Sequence, residues 1–212
     1  MTLVLHDNLL SSNAQKVRFL LRELELPFER IDVPFAARPA EHFAANPTGG
    51  IPALIDGALV VAESNAILRY LASRERRDDL YPTDVRDRAR VDWLLDHQAL
   101  FFRPQSMTIE IPALGFRPGR GVYAEPIEPE QTNVAFEAAL PKLRMTEQLL
   151  GTPPWACLER FTIVDVAFAP FLHRLRGTSV DLGVLSRLSA LAEAVVSRSV
   201  WQAMASETGV AL

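Results

Sequence analysis

One cysteine in 212 residues, Cys157, leaves no partner for an internal disulfide and no CxxC pair for redox or zinc chemistry. No apolar run approaches the length of a membrane-spanning helix, and the opening MTLVLHDNLL has no basic region ahead of its short apolar stretch. Those absences fit a cytoplasmic protein that is neither secreted nor embedded in a membrane. A cationic field is also missing: 22 Lys and Arg are outnumbered by 26 Asp and Glu, the net charge is -4, and the charges are spread along the chain. Nucleic acid and anionic membrane surfaces are therefore not expected partners. His6, His97 and His173 share no metal-ligand spacing, so no metal is expected. Internal repeats and low-complexity tracts are absent as well.

What the chain has is an ordinary globular balance, 49% apolar and 23% charged, in a length open to one large or two modest domains. Leu3 to Leu5 is a short apolar run, Asp7 to Asn13 a polar loop, and Val17, Leu20, Leu21 and Leu24 mark one helix face. Pro27 stops that helix, and Phe28 to Val33 alternates apolar and charged residues as a half-buried strand does. The unit reads as βαβ with two parallel strands. After a Pro- and Ala-rich loop, Asp56-Gly57 separates two apolar runs between Ile51 and Val61, a strong hairpin signal. Ala66, Ile67, Tyr70 and Leu71 then face inward from a helix that begins near Ser64.

Residues Ser73 to Asp84 are charged with a late proline, Pro82, and beyond them no convincing strand appears. An α/β domain over 1–78, built as βαβ and then a hairpin and a helix, followed by an all-helical domain over 86–212 is the expected division. Val91, Leu94, Leu95, Gln98 and Phe102 predict a long amphipathic helix, whereas Pro104 to Pro129, rich in proline and glycine, predicts an irregular cover over a cleft. Further helices are expected over 133–150, 163–176 and 185–206. Thr162 with Asp165 three residues later forms a capping-box pattern at the start of the second of these.

Two blocks carry a specific resemblance. Asn46-Pro-Thr-Gly-Gly-Ile-Pro-Ala-Leu-Ile-Asp-Gly, followed by Ala62-Glu-Ser-Asn-Ala-Ile-Leu-Arg-Tyr-Leu, resembles the glutathione-binding signature of the soluble glutathione transferases. Ser11-Ser-Asn-Ala-Gln-Lys-Val-Arg resembles the active-site turn of the serine-type, bacterial-like members, and Thr162-xx-Asp165 resembles the capping motif of their helical domain. The resemblance weakens between Pro104 and Pro129.

The resemblance implies a thioredoxin-like fold for the first domain ahead of the all-helical one, glutathione as co-substrate, a homodimer, and transfer of glutathione to an apolar electrophile, with a detoxifying role. Ser64 at a helix N-terminus and Glu63 beside it would hold the γ-glutamyl carboxylate and ammonium. Ile51, before a Pro52 that the fold would hold in cis, would pair its backbone with the cysteinyl unit. Arg38 and His42 would lie near the glycyl carboxylate, and Gly50 stands where many relatives carry Lys or Gln, so one side-chain contact is missing. Ser11, with Ser12 as the alternative and Asn13 as a further donor, would stabilise the thiolate. Phe102, Arg103, Met107 and Phe116 are candidates for the co-substrate pocket. Plain capping by Ser64 and Ser11, surface charge for Arg38 and His42, and core packing for the phenylalanines are the competing readings. Cys157 reads as a core residue. Two other functions stay open: a binding protein that has kept the fold without catalysis, and glutathione-dependent peroxidase, isomerase or dehalogenase chemistry.

Overall fold

A computed structural model describes residues 2–117, 122–123 and 125–208. The first half runs β1 (Leu3–Asp7), α1 (Ser12–Glu23), β2 (Phe28–Asp32), α2 (Ala40–Ala45), β3 (Ala53–Asp56), β4 (Leu59–Ala62) and α3 (Ser64–Arg74). Its four strands lie in the order β2-β1-β3-β4, with β1 and β2 parallel and the remaining neighbours antiparallel. The register sets Leu5 beside Arg30 on one flank and Leu54 on the other, and Leu54 beside Val61. Leu5 and Leu54 are fully buried beneath α1 and α3, which contribute Val17, Leu20, Leu21, Ile67, Leu68 and Leu71 to the same core. Gly57, at φ +62°, makes the hairpin turn that the Asp56-Gly57 pair predicts. This is a thioredoxin-like domain, to which α2 adds a helix in a segment that the sequence pattern leaves as loop.

The second half is helical: α4 (Val85–His97), a π-helical stretch Gln98–Phe102, α5 (Arg103–Ala113), α6 (Pro129–Leu149), α7 (Ile163–Arg176), α8 (Ser186–Val196) and α9 (Ser199–Ala205). The expected 185–206 helix is thus two. The only strands described there are the two-residue pair β5 (Phe116–Arg117) and β6 (Val122–Tyr123). Most of α7 is buried, and it packs on α1, α3, α4, α5 and α8, which makes it the axis joining the halves. Its start is fixed by a full capping box: Val164 N–H donates to Thr162 Oγ1, and Thr162 N–H donates to Asp165 Oδ2 at 2.6 Å.

The irregular cover expected over Pro104 to Pro129 is corrected for its first ten residues, which continue the helix as α5. Pro104 stands at the second position of α5, directly after the π-helical stretch, and Pro112 lies inside its last turn, so each gives up one N–H without ending the helix. Residues 118–121 and 124 lie outside the described residues, and with them Gly119 and Gly121 of the expected cover.

Candidate active site

The loop between β1 and α1 is tied down from several sides. Asn8 Nδ2 donates to the Val33 carbonyl at 3.0 Å, and Asn8 Oδ1 accepts from Leu10 N–H. Arg18 and Gln15 both donate to the Leu9 carbonyl, and Arg174 from α7 donates to the Leu10 carbonyl at 2.7 Å. Arg18 is itself held by a buried ion pair with Asp7 at 2.7 Å. Burial pushes the Asp7 carboxyl up, and the Arg18 guanidinium pulls it back down.

Ser11 caps α1: its backbone is extended and its Oγ accepts from Ala14 N–H at 3.3 Å. A hydroxyl that accepts this bond still has its proton to give. The N–H groups of Ser12 and Asn13, in the first turn, have no carbonyl of their own helix to reach, and both serines are nearly buried. Asn13 Oδ1 is buried with no partner.

A cleft of about 320 Å³ opens beside this turn, lined by Leu10, Ser11, Ser12, Asn13, Phe35 and Arg38 on one side. Gly50, Ile51, Arg103, Met107, Ile111 and Arg174 complete its wall. Ser11, Ser12, Asn13, Arg38, Gly50, Ile51, Arg103 and Met107 are therefore brought together. The Ile51–Pro52 bond is cis, and Ile51 N–H and C=O have no hydrogen-bond partner among the described residues. Arg38 makes no ion pair among them, and its Nε is buried without an acceptor.

His42 has a different part. It is fully buried, with Nδ1 3.1 Å from His6 Nδ1 and Nε2 within 3.2 Å of the Gly49 and Gly50 carbonyls. Both ring nitrogens are occupied, so the expectation that His42 meets a ligand carboxylate is corrected: it supports the loop that presents Ile51. Gly49 in that loop sits at φ +69°, and a Cβ there would stand 2.7 Å from the Phe43 ring. Phe102 is corrected too. The π-helical turn carries its ring into the core, 4.7 Å from Phe168 and 6.4 Å from Phe171, and leaves Phe101 exposed. The Phe116 side chain lies outside the described residues.

Glu63 and Ser64 do not line the cleft itself; they form a corner next to it at the start of α3. Glu63 is exposed and holds φ +68°, a strained value for a residue with a side chain. Behind Ser64 lies a group that the sequence reading passed over. Lys16 is buried, and its ammonium donates to Ser64 Oγ (3.4 Å), Asn65 Oδ1 (3.3 Å) and Gln98 Oε1 (3.0 Å), with the Phe171 ring below. All three acceptors are neutral. Burial drives its pKa well down, Arg103 adds to the fall, and Glu63 opposes it. The signal was present: Lys16 precedes Leu20 by four residues, on the buried stripe of α1.

Arg174 was likewise missed. Besides Leu10 it donates to Gln15 Oε1 at 3.3 Å, and it stands 3.6 Å from Glu110 on α5. Glu110 is buried with neither carboxylate oxygen hydrogen-bonded; burial pushes its carboxyl up to about 7 against the pull of Arg174 and Arg103. Cys157 is a core residue whose thiol burial raises to about 11. Among the described residues no group of His, Cys, Asp and Glu could hold a metal ion.

The geometry described above coincides with family matches. The family model for the glutathione S-transferase N-terminal domain matches residues 10–74, and that for the glutathione S-transferase C-terminal domain matches 123–195. Glutathione S-transferase GstB of Escherichia coli K12 is 30% identical over 179 residues, 78% of this chain and 79% of that protein. Glutathione S-transferase F10 of Arabidopsis thaliana is 29% identical over 216 residues, 95% of each. The solved structure of glutathione S-transferase III in its apo form superposes with a TM-score of 0.78 at 29% identity, covering 97% of this chain and 96% of that one.

Proposed function

The chain belongs to the glutathione S-transferase family, and from that premise we propose how its residues bind and activate glutathione. It is a glutathione transferase with glutathione as co-substrate. Ser11 donates a hydrogen bond from its hydroxyl to the glutathione sulfur, which makes the chain a serine-type member; Ser12 is the neighbouring alternative. The carrying observation is that Ser11 lines the cleft and its Oγ, while accepting from Ala14 N–H, still has a hydrogen to donate, alongside the open N–H groups of Ser12 and Asn13.

The rest of the tripeptide follows from the cleft's other groups. Ile51, ahead of Pro52, offers its unpaired N–H and C=O to the cysteinyl backbone in the manner of an added strand. Arg38, with no ion pair of its own, takes the glycyl carboxylate. Ser64, the N-terminus of α3 and the Lys16 ammonium behind it take the γ-glutamyl carboxylate, and Glu63 takes the ammonium. A carboxylate there supplies the counter-charge that Lys16 lacks among its three neutral acceptors.

The thiolate then attacks an electrophilic carbon held over Leu10, Phe35, Met107 and Ile111. A sulfur–carbon bond forms as the leaving group departs with its electron pair, and the thiol proton has already gone to water. The unit of action is a homodimer in the cytoplasm, with domains over 1–78 and 86–212. Exposed apolar side chains on β4 (Leu59, Val60) and along the α4–α5 rod (Trp93, Leu100, Phe101) support an assembly that covers them.

The test is calorimetric titration with glutathione together with conjugation assays over a broad panel of electrophiles. Binding with turnover is the expected result. Binding without any conjugation would favour a non-catalytic glutathione-binding protein, and glutathione-dependent turnover of peroxides, isomerisable substrates or halogenated substrates alone would move the reading to peroxidase, isomerase or dehalogenase chemistry.

A further inference from the structure

Four cationic side chains line or adjoin the cleft, and three of them have work to do. Lys16 is held by Ser64, Asn65 and Gln98 at the γ-glutamyl corner. Arg174 is committed to Glu110, Gln15 and the Leu10 carbonyl. Arg38 lines the cleft together with Gly50 and Ile51 and, on the reading above, takes the glycyl carboxylate. Arg103 is the remaining one. It lines the cleft from the first turn of α5, no hydrogen bond or ion pair reaches its side chain among the described residues, and its Nε is buried with no acceptor. Glu110 and Glu63 act on it electrostatically, yet neither comes within ion-pair distance. A guanidinium that is partly stripped of water and left unpaired is stabilised by an anion brought to it, and its planar fork suits a carboxylate.

Position along the helix says what else that anion's carrier must be. Met107 and Ile111 follow Arg103 at intervals of four residues and line the same cleft, so α5 presents a charge followed by two apolar side chains on one face. Each interval rises about 6 Å, close to the span of a para-substituted benzene ring.

Resting on the glutathione transferase reading above, we propose that Arg103 is an anion subsite of the co-substrate pocket and that the electrophile conjugated here carries a carboxylate on an apolar body. The acid sits on the guanidinium, the apolar body lies along Met107 and Ile111, and the electrophilic carbon is left free to meet the sulfur near Ser11. The apolar co-substrate expected from sequence thereby acquires a charged end.

Paired electrophiles isolate the charge. 4-(Bromomethyl)benzoate and 4-(bromomethyl)benzamide differ little in shape, and each kcat/KM is divided by the uncatalysed rate with glutathione. The wild-type chain should favour the benzoate. Arg103→Met should reduce that preference about ten- to hundredfold, as loss of a charged hydrogen bond does, with Arg103→Lys retaining part of it and the glutathione Kd changing less than about twofold. An unchanged benzoate-to-benzamide ratio overturns the proposal. So does an unchanged ratio accompanied by weaker glutathione binding, which would assign Arg103 to the γ-glutamyl carboxylate, or by a higher pKa of the bound thiol, which would assign it to the thiolate.

Calorimetric binding of the unreactive 4-methylbenzoate and 4-methylbenzamide to glutathione-saturated protein, and to protein alone, separates this inference from the one it rests on. If no electrophile is conjugated but the benzoate still binds through Arg103, the transferase reading fails and the anion subsite stands. If conjugation proceeds and the benzoate binds wild type and Arg103→Met alike, the subsite fails alone.

Discussion

Replacement of Ser11 by alanine removes two things at once, and the structure separates them. As N-cap, Ser11 Oγ accepts from Ala14 N–H at 3.3 Å, a long bond whose loss costs about 1 kcal/mol of stability. As proton donor to sulfur, the same hydroxyl contributes about 1.5 kcal/mol to the thiolate, or roughly one pKa unit. Lowering a thiol from about 8.5 by two units needs roughly 2.7 kcal/mol, so the N–H groups of Ser12 and Asn13 and the α1 dipole supply the remainder. Ser11→Gly is the informative companion, since glycine keeps the cap to within a few tenths of a kcal/mol but has no hydroxyl. The pKa of bound glutathione, read from thiolate absorbance against pH, should rise by about one unit in both variants, with kcat/KM below that pKa falling about tenfold. Only Ser11→Ala should lower the urea midpoint appreciably. If both variants keep the bound thiol pKa and turnover while Ser12→Ala shifts them, the hydroxyl that reaches sulfur is that of Ser12 and the argument from the free Ser11 proton is wrong.

Lys16→Met should act with opposite signs on stability and binding: removing a buried charge that has only neutral partners leaves the urea midpoint unchanged or raised, while the glutathione Kd, read by calorimetry, weakens about tenfold or more. Asp165→Ala leaves the buried Ala156 and Thr162 N–H groups, now bonded at 2.7 and 2.6 Å, without an acceptor, so denaturant unfolding should show a loss of about 3 kcal/mol, with Asp165→Asn losing less. His173 lies against Trp201, and burial first, then Arg174 and Arg176, hold its imidazole down at about 4. The unfolded chain takes up that proton at about pH 6.5 and the folded chain does not, so stability should decline as pH falls from about 6.5 to 4. His173→Gln should remove about one proton's worth of that slope in paired urea titrations.

The parts of the molecule that were legible in the sequence are those decided locally. The Asp56-Gly57 turn, the Thr162–Asp165 box and the inward faces of α1 and α3 each depend on a few neighbouring residues, and the structure has all of them. Proline was the misleading local cue. Five prolines between 104 and 129 suggested irregular chain, but Pro104 follows the π-helical stretch and Pro112 lies in the last turn of α5, and the helix runs through both. Facing was illegible wherever periodicity itself changes. The π-helical stretch Gln98–Phe102 shifts the helix phase, so Phe102 enters the core and Phe101 leaves it, and no repeat of 3.6 read from the sequence could assign the two. Lys16 and Arg174 were missed for a related reason: each lies on a helix whose pattern reads as core, and charge on such a face looks like noise in a hydrophobic repeat, while Glu110 fell in the stretch whose prolines read as irregular chain. Yet burying an ionic group is costly, and a fold keeps one only where something compensates it. For Arg174 and Glu110 that partner is internal, at 3.6 Å, and the pair joins α5 and α7 to the Ser11 loop. For Lys16 the three hydrogen-bond acceptors are neutral and Glu63 is the one charge that opposes the fall of its pKa, so on the reading proposed above the γ-glutamyl carboxylate adds the missing counter-charge, and a charged residue that interrupts a buried stripe beside a ligand-binding signature is the place to look for such an anion.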